Sequence, residues 1–217
     1  QFSQSGITVF DNASSGGDVP DWKINQSVLD GMQAALSPKY AIVLRTADPD
    51  KLGWGLAMSP LDVMEGSGKA WSALSEQLGN NIEDVDLWIA VTATCAEAGN
   101  YSGPVPCGAA INRRSGLFGK QAEWLWFFAK VTIFDGHTRK YLAAMDVFRG
   151  GGDCGPYGNA VNMFEAQAGC IPGTDLGLDF AVDRWTDYSA AQRETIRAKL
   201  KDLIGPSLAY TLQKMNL

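Results

Sequence analysis

Few residues in this chain could carry acid–base, nucleophilic or metal chemistry, and their spacing argues against most such roles. His137 is the only histidine and lies between Gly136 and Thr138. A Ser-His-Asp or Cys-His device needs a buried, oriented imidazole, which a turn tip does not provide. A single histidine also excludes histidine-rich zinc or iron sites. Residues 14–18 (Ser-Ser-Gly-Gly-Asp) could cradle a phosphate on backbone N–H groups. They lack the Lys-Ser/Thr of a P-loop and the spacing of a dinucleotide fingerprint, and read better as a flexible βα loop. Glu83, Asp84 and Asp86 form an acidic cluster, and Asp175, Asp179 and Asp183 recur at i, i+4. Paired carboxylates can do acid–base work, but an acidic turn or a solvated face is the simpler reading. The glycine run 150–155 contains one carboxylate, Asp153, where calcium gathers several oxygens. No catalytic residue, metal ligand or cofactor is expected.

The four cysteines are Cys95, Cys107, Cys154 and Cys170. Each successive pair brackets a Gly-rich loop, and none has C-x-x-C spacing. Local disulfides Cys95–Cys107 and Cys154–Cys170 are expected, each stabilising by about 3 kcal/mol in the loop-entropy description. They imply an oxidising compartment, the periplasm or the cell exterior. The chain begins at Gln1 without Met, as expected if a signal segment has been removed or the chain has been trimmed. A net charge of −6 over 217 residues disfavours a nucleic-acid surface, which needs a basic stripe. No apolar run approaches the roughly 20 residues of a transmembrane helix.

The elements that would position these residues follow from periodicity. Ile7–Phe10 is a short strand. Residues 19–36 carry Ile24, Val28, Met32, Ala35 and Leu36 on one helical stripe that Pro38 stops. Tyr40–Arg45 reads as a buried strand. Lys69–Leu78 reads as a short helix, and Asp86–Cys95 as a third strand. Trp124–Phe148 reads as two long strands around Asp135-Gly136, where glycine would reach positive φ. Ser189 and Gln192 make a capping box that opens a helix with Ile196, Leu200 and Leu203 inward; Gly205-Pro206 should kink or split it. The order β-α-β-α-β-β-β-α predicts an α/β (α+β) two-layer sandwich with a mixed five-stranded sheet and helices on one face. A single domain, 1–217, would consist of a core at 7–148, an insertion at 149–187 and a terminal helix at 189–215.

The long hairpin carries an anomaly. Leu125, Phe127, Ala129, Val131 and Ile133 alternate onto one face; Trp124, Trp126, Phe128, Lys130, Thr132 and Phe134 take the other. A half-solvated strand should be polar on its second face. Trp88 on the third strand joins Trp124, Trp126 and Phe128 as an aromatic face that must be covered by residues 149–187, by the terminal helix or by a partner. These four are the candidate partner-binding residues.

The opening ITVFDNASSG (7–16), followed by a helix and KYAIVLR (39–45), resembles that of the periplasmic domains of the curli-secretion CsgG, TolB amino-terminal and LpoB-like group. DVDLWIAVTATC (84–95) is similar to their third strand, and VTIFDGHTRKYLAAMDV (131–147) to their closing hairpin. The resemblance implies a non-catalytic, envelope-associated binding or assembly module that contacts an envelope protein or itself, although residue 1 is Gln and not a lipid-attachment Cys. The alternative is a secreted hydrolase or small-ligand binder with a pocket between the sheet and the 149–187 insertion.

Overall fold

The computed structural model describes residues 2–7, 12–17, 19–45, 75–76, 85–94, 107–115, 121–150, 169–170, 173–177, 182 and 184–217. Ten strands are present among them: β1 (Phe2–Ile7), β2 (Asn12–Gly17), β3 (Leu87–Ala93), β4 (Ala109–Ser115), β5 (Gln121–Phe127), β6 (Ala129–Asp135), β7 (Tyr141–Asp146), β8 (Arg149–Gly150), β9 (Gly169–Cys170) and β10 (Gly173–Asp175). Two α-helices, α1 (Ile24–Leu36) and α2 (Ala190–Lys214), complete an α+β fold whose strand pairs are largely antiparallel. The chain divides into two compact units. The first comprises residues 1–42, 93–128 and 147–217; the second comprises 43–92 and 129–146.

In the first unit the sheet order is β10-β5-β4-β1-β2. β1 and β2 are an antiparallel pair, β1 runs parallel to β4, and β5 is antiparallel to both β4 and β10. Interior position explains the composition of β5. Leu125, Trp126 and Phe127 are all buried although successive side chains point to opposite faces. A strand covered on both sides reads as a continuous apolar run, not an alternating one.

Helix α1 packs on α2. Its expected stripe is where burial falls: Met32 and Leu36 are buried and Ile24, Val28 and Ala35 half-buried. A 3-10 turn, Pro20–Trp22, leads into it through Lys23, whose φ of 49° is left-handed. The two helices approach closely at Gly31, where a Cβ would lie 3.2 Å from both the Gly205 Cα and the Leu208 Cδ1. Helix α2 begins with the expected capping box: Gln192 N–H donates to the Ser189 hydroxyl, and Ser189 N–H donates to the Gln192 side chain. Ile196, Leu200 and Leu203 are buried as expected. Pro206 does not split the helix, which continues to Lys214. A proline inside a helix costs on the order of 3 kcal/mol through its missing N–H and ring clash. Burial of Leu208 and Leu212 beyond it holds the second half in place.

The second unit contains a three-stranded sheet of order β3-β6-β7. β6 is central, with Val131, Thr132, Ile133 and Phe134 all buried. It pairs antiparallel with β7, with a register shift between Ile133 and Phe134. Lys130 lies opposite Asp146 at 3.6 Å, a half-exposed pair of small energetic weight.

The expected five-stranded sheet is not the one that forms. Tyr40–Arg45 is not a strand. Residues 124–134 are not one arm of a hairpin; the run is divided at Phe128 between β5 and β6, which lie in different sheets. Residues 14–17, expected in a loop, belong to strand β2. Of the expected helix at 69–78 only Ser75 and Glu76 are described, and both are helical. The helix contact gives a direct test: Gly31→Leu forces α1 and α2 apart, and should lower stability by about 1–3 kcal/mol, the usual cost of overpacking, in a urea unfolding curve. An unchanged midpoint would contradict the close approach.

Candidate functional site

Along one face of β5 and the residue that follows it, three aromatic side chains form a ladder. The Trp124 and Trp126 rings are 5.7 Å apart, tilted by 30°, and Trp126 stacks on Phe128 at 5.9 Å. Such spacing is what side chains at i, i+2 and i+4 of a strand produce. Trp126 retains 2% of its exposure and Phe128 4%, while Trp124 is half-buried. Strand β10, from the 149–187 stretch, provides part of the cover. Gly173 is the register partner of Trp126, and a Cβ there would lie 2.6 Å from the indole Cε3 and Cζ3. Only glycine lets the ring sit that close. Trp126 and Phe128 are therefore enclosed by the chain itself. Trp88, on β3 of the second unit, is half-buried.

Sequence reasoning missed a second aromatic cluster in the first unit. Trp22 meets Trp185 edge-to-face at 5.5 Å, and Trp185 meets Tyr188 at 5.6 Å. The Arg193 guanidinium lies 5.0 Å from the Trp185 ring centroid and donates to the carbonyls of Trp185 and Thr186. Gly17 leaves room for the same indole, 2.6 Å from where its Cβ would be. Tyr188 donates to the Glu123 carboxylate at 3.4 Å, and both side chains are buried. The register also sets Arg113 of β4 opposite Glu123 of β5. The available signal was a Trp and a Tyr just before a capping box, but nothing local says that residue 22 is their neighbour.

The turn after β6 is organised by Asp135 rather than by glycine conformation. One Asp135 carboxylate oxygen, Oδ1, accepts hydrogen bonds from the N–H groups of His137 and Thr138 and from the Thr138 hydroxyl. Arg139 takes the left-handed conformation, φ 62°, while Gly136 is not among the positive-φ residues. Glycine is required at 136 because a Cβ would fall 1.6 Å from the Val85 carbonyl oxygen, where Gly136 N–H donates to the Asp86 carbonyl. His137 is 60% exposed, with Nε2 at 3.3 Å from an Asp86 carboxylate oxygen that is itself solvated. This is a surface turn pair, not a catalytic dyad.

The remaining candidates do not converge. Asp175 lies in β10, where its carboxylate accepts from Gly177 N–H; Asp179 and Asp183 lie outside the described residues, as do Asp18, Glu83, Asp84 and residues 151–155. No group of three or more His, Cys, Asp or Glu residues arranged to hold a metal occurs among the described residues. Cys107 is disulfide-bonded; Cys95, Cys154 and the Cys170 side chain lie outside the described residues, so neither expected pairing is described. A groove of about 230 Å³ between α2 and β10 is lined by Thr174, Lys199, Asp202, Leu203, Pro206 and Ser207. Lys199 already donates to the Asp175 carbonyl and Ser207 to the Leu203 carbonyl. No described helix is long and apolar enough to cross a membrane. No family model, curated protein or solved structure matches the chain.

The Asp135 turn has a definite pH signature. Hydrogen bonds from the Thr138 backbone and hydroxyl hold its carboxyl below the usual carboxylate value of 3.8. A depressed folded pKa means stability that is present above the unfolded value and lost as pH falls through the folded one. The stability advantage of the parent chain over Asp135→Ala should therefore be full at neutral pH and shrink below about pH 4. Urea midpoints across that range check this; an advantage that grows on acidification would contradict it.

Proposed function

We propose that this chain is a non-catalytic, secreted or periplasmic binding module that acts through protein–protein contacts of its second unit. The observation that carries the reading is strand β3. Leu87, Trp88, Ile89, Ala90 and Val91 are apolar, yet every one is only half-buried, and the strand lies at the edge of its sheet. The opposite edge strand, β7, exposes Leu142 at 52%. An apolar, half-buried strand at the edge of a sheet invites docking by another chain. Within this unit, partner binding then rests on Trp88, which is half-buried. It does not rest on Trp126 or Phe128, which the chain encloses.

An oxidising location is supported by the disulfide at Cys107. An envelope role is supported further by the likeness of the third strand and closing hairpin to the CsgG, TolB and LpoB-like domains. The hydrolase or ligand-binder reading draws on the groove at Lys199 and Asp202. That groove falls below the roughly 300–1,000 Å³ typical of ligand sites, and its Lys199 and Ser207 donors are engaged within the chain.

The experiment is affinity capture from envelope extract together with light scattering on the purified chain. The expected outcome is one specific partner, or a concentration-dependent oligomer, lost in Trp88→Ala/Leu142→Asp while the circular dichroism spectrum is retained. Truncating a central aromatic anchor should weaken binding by about 2 kcal/mol or more, roughly thirtyfold. A strict monomer without a specific partner, or a complex indifferent to both substitutions, would overturn the proposal.

A further inference from the structure

Residues 39–45, Lys-Tyr-Ala-Ile-Val-Leu-Arg, have the composition of a strand and do not form one. Isoleucine, valine and tyrosine favour the pleated, half-covered surface of a sheet. Yet from residue 41 to residue 45 the chain has no regular structure and stays apolar at the surface. Val43 is 51% exposed and Tyr40 42%. Burial alternates along the segment: Ala41, Val43 and Arg45 are exposed, Ile42 and Leu44 half-buried. A period of two is that of an extended chain with one face turned to solvent. Apolar segments of six or seven residues with strong strand preference, left exposed, are prone to pair with another strand.

Strand β3 matches this segment in pattern and charge. Among the described residues β3 lies at the edge of its sheet, and residues 87–91 are apolar and half-buried. Just before it, the Asp86 carboxylate is 97% exposed, although His137 lies at 3.3 Å. The segment carries a cation at each end, Lys39 and Arg45. An antiparallel alignment with Arg45 beside Asp86 sets Leu44 opposite Leu87, Val43 opposite Trp88, Ile42 opposite Ile89 and Tyr40 opposite Val91. The exposed Val43 and Ala41 then share a face with Trp88 and Ala90, and the half-buried Leu44 and Ile42 share the other with Leu87 and Ile89. Val43–Trp88 and Tyr40–Val91 are aromatic–β-branched pairs, which are favourable across strands. A slip of one residue exchanges the faces. A parallel alignment starting from Lys39 beside Asp86 brings Ala41, rather than Val43, to Trp88.

Within one copy, residues 39–45 and β3 do not form a common sheet. We propose that the occupant of the β3 edge is a second copy of this chain, which adds its residues 40–45 to β3 as an antiparallel strand. The inference rests on the β3 contact edge proposed above and names what docks there.

The test is sedimentation velocity and hydrogen exchange on the full chain over a concentration series. Association should rise with concentration and bring new protection to residues 41–44 together with residues 87–93. Val43→Asp, at an exposed position outside regular structure, should weaken association on the order of tenfold. Arg45→Asp should weaken it about threefold, as an exposed ion pair would, and Arg45→Asp/Asp86→Arg should recover that loss. Association indifferent to Val43→Asp, or protecting residues 87–93 without 41–44, would overturn the strand pairing. A chain that stays monomeric yet binds an envelope protein through β3 would overturn the second copy as occupant and leave the β3 reading intact. A chain that neither associates nor binds through β3 would overturn both.

Discussion

Much of the first unit depends on the contact between Trp126 and Gly173. Strand β5 lies inside its sheet and is apolar on both faces, so each face must be covered. Gly173 lets β10 pair directly against the Trp126 indole. Burying an indole removes about 200 Å² from water, roughly 5 kcal/mol at 25 cal/mol/Å². That is enough to make the end of a long, glycine-rich excursion an integral strand. On the same strand, Glu123 is buried and takes a hydrogen bond from Tyr188. Tyr188 belongs to the Trp22–Trp185 cluster, which lies just ahead of the α2 cap. The excursion, the lead-in to α2 and the N-terminal strands are thus joined through one strand and its neighbours.

The second unit is built on different terms. Its central strand β6 is buried between its two neighbours, whereas the strands on either side of it are less covered. β3 is apolar and half-buried, and β7 exposes a leucine. Natural edge strands are usually protected by charge, proline or irregularity. Here Asp146 guards only the end of β7, in its pair with Lys130. The contrast between an enclosed aromatic ladder in one unit and an apolar edge in the other shifts the binding proposal from β5 to β3.

The sequence made some of this legible and hid the rest for identifiable reasons. Helices α1 and α2 were readable because their signals are local: a stripe ending before Pro38, and a Ser189–Gln192 box. Strand β3 was readable from its β-branched and aromatic run. The division of Trp124–Phe134 into two strands was not, because no glycine or proline marks it. It is set at Phe128 by bonds to Gly108 and Thr94, far away in sequence. β1 and β2 were obscured by their Ser/Gly composition, which has low strand propensity; β4 provides the pairing that β1 needs. The Asp135-Gly136 turn was placed correctly for an incomplete reason. The carboxylate and the nearby Val85 carbonyl dictate those residues, and the left-handed residue is Arg139. Among the candidate site residues, the sequence singled out the aromatic ladder but could not tell which rings the chain itself would enclose.

The central claim is that β3 is the contact edge. Hydrogen exchange on the complex or oligomer, compared with the free chain, tests it most directly. The account predicts new protection concentrated in residues 87–93. Protection confined to β10 and α2 around Lys199, with β3 unchanged, would contradict it.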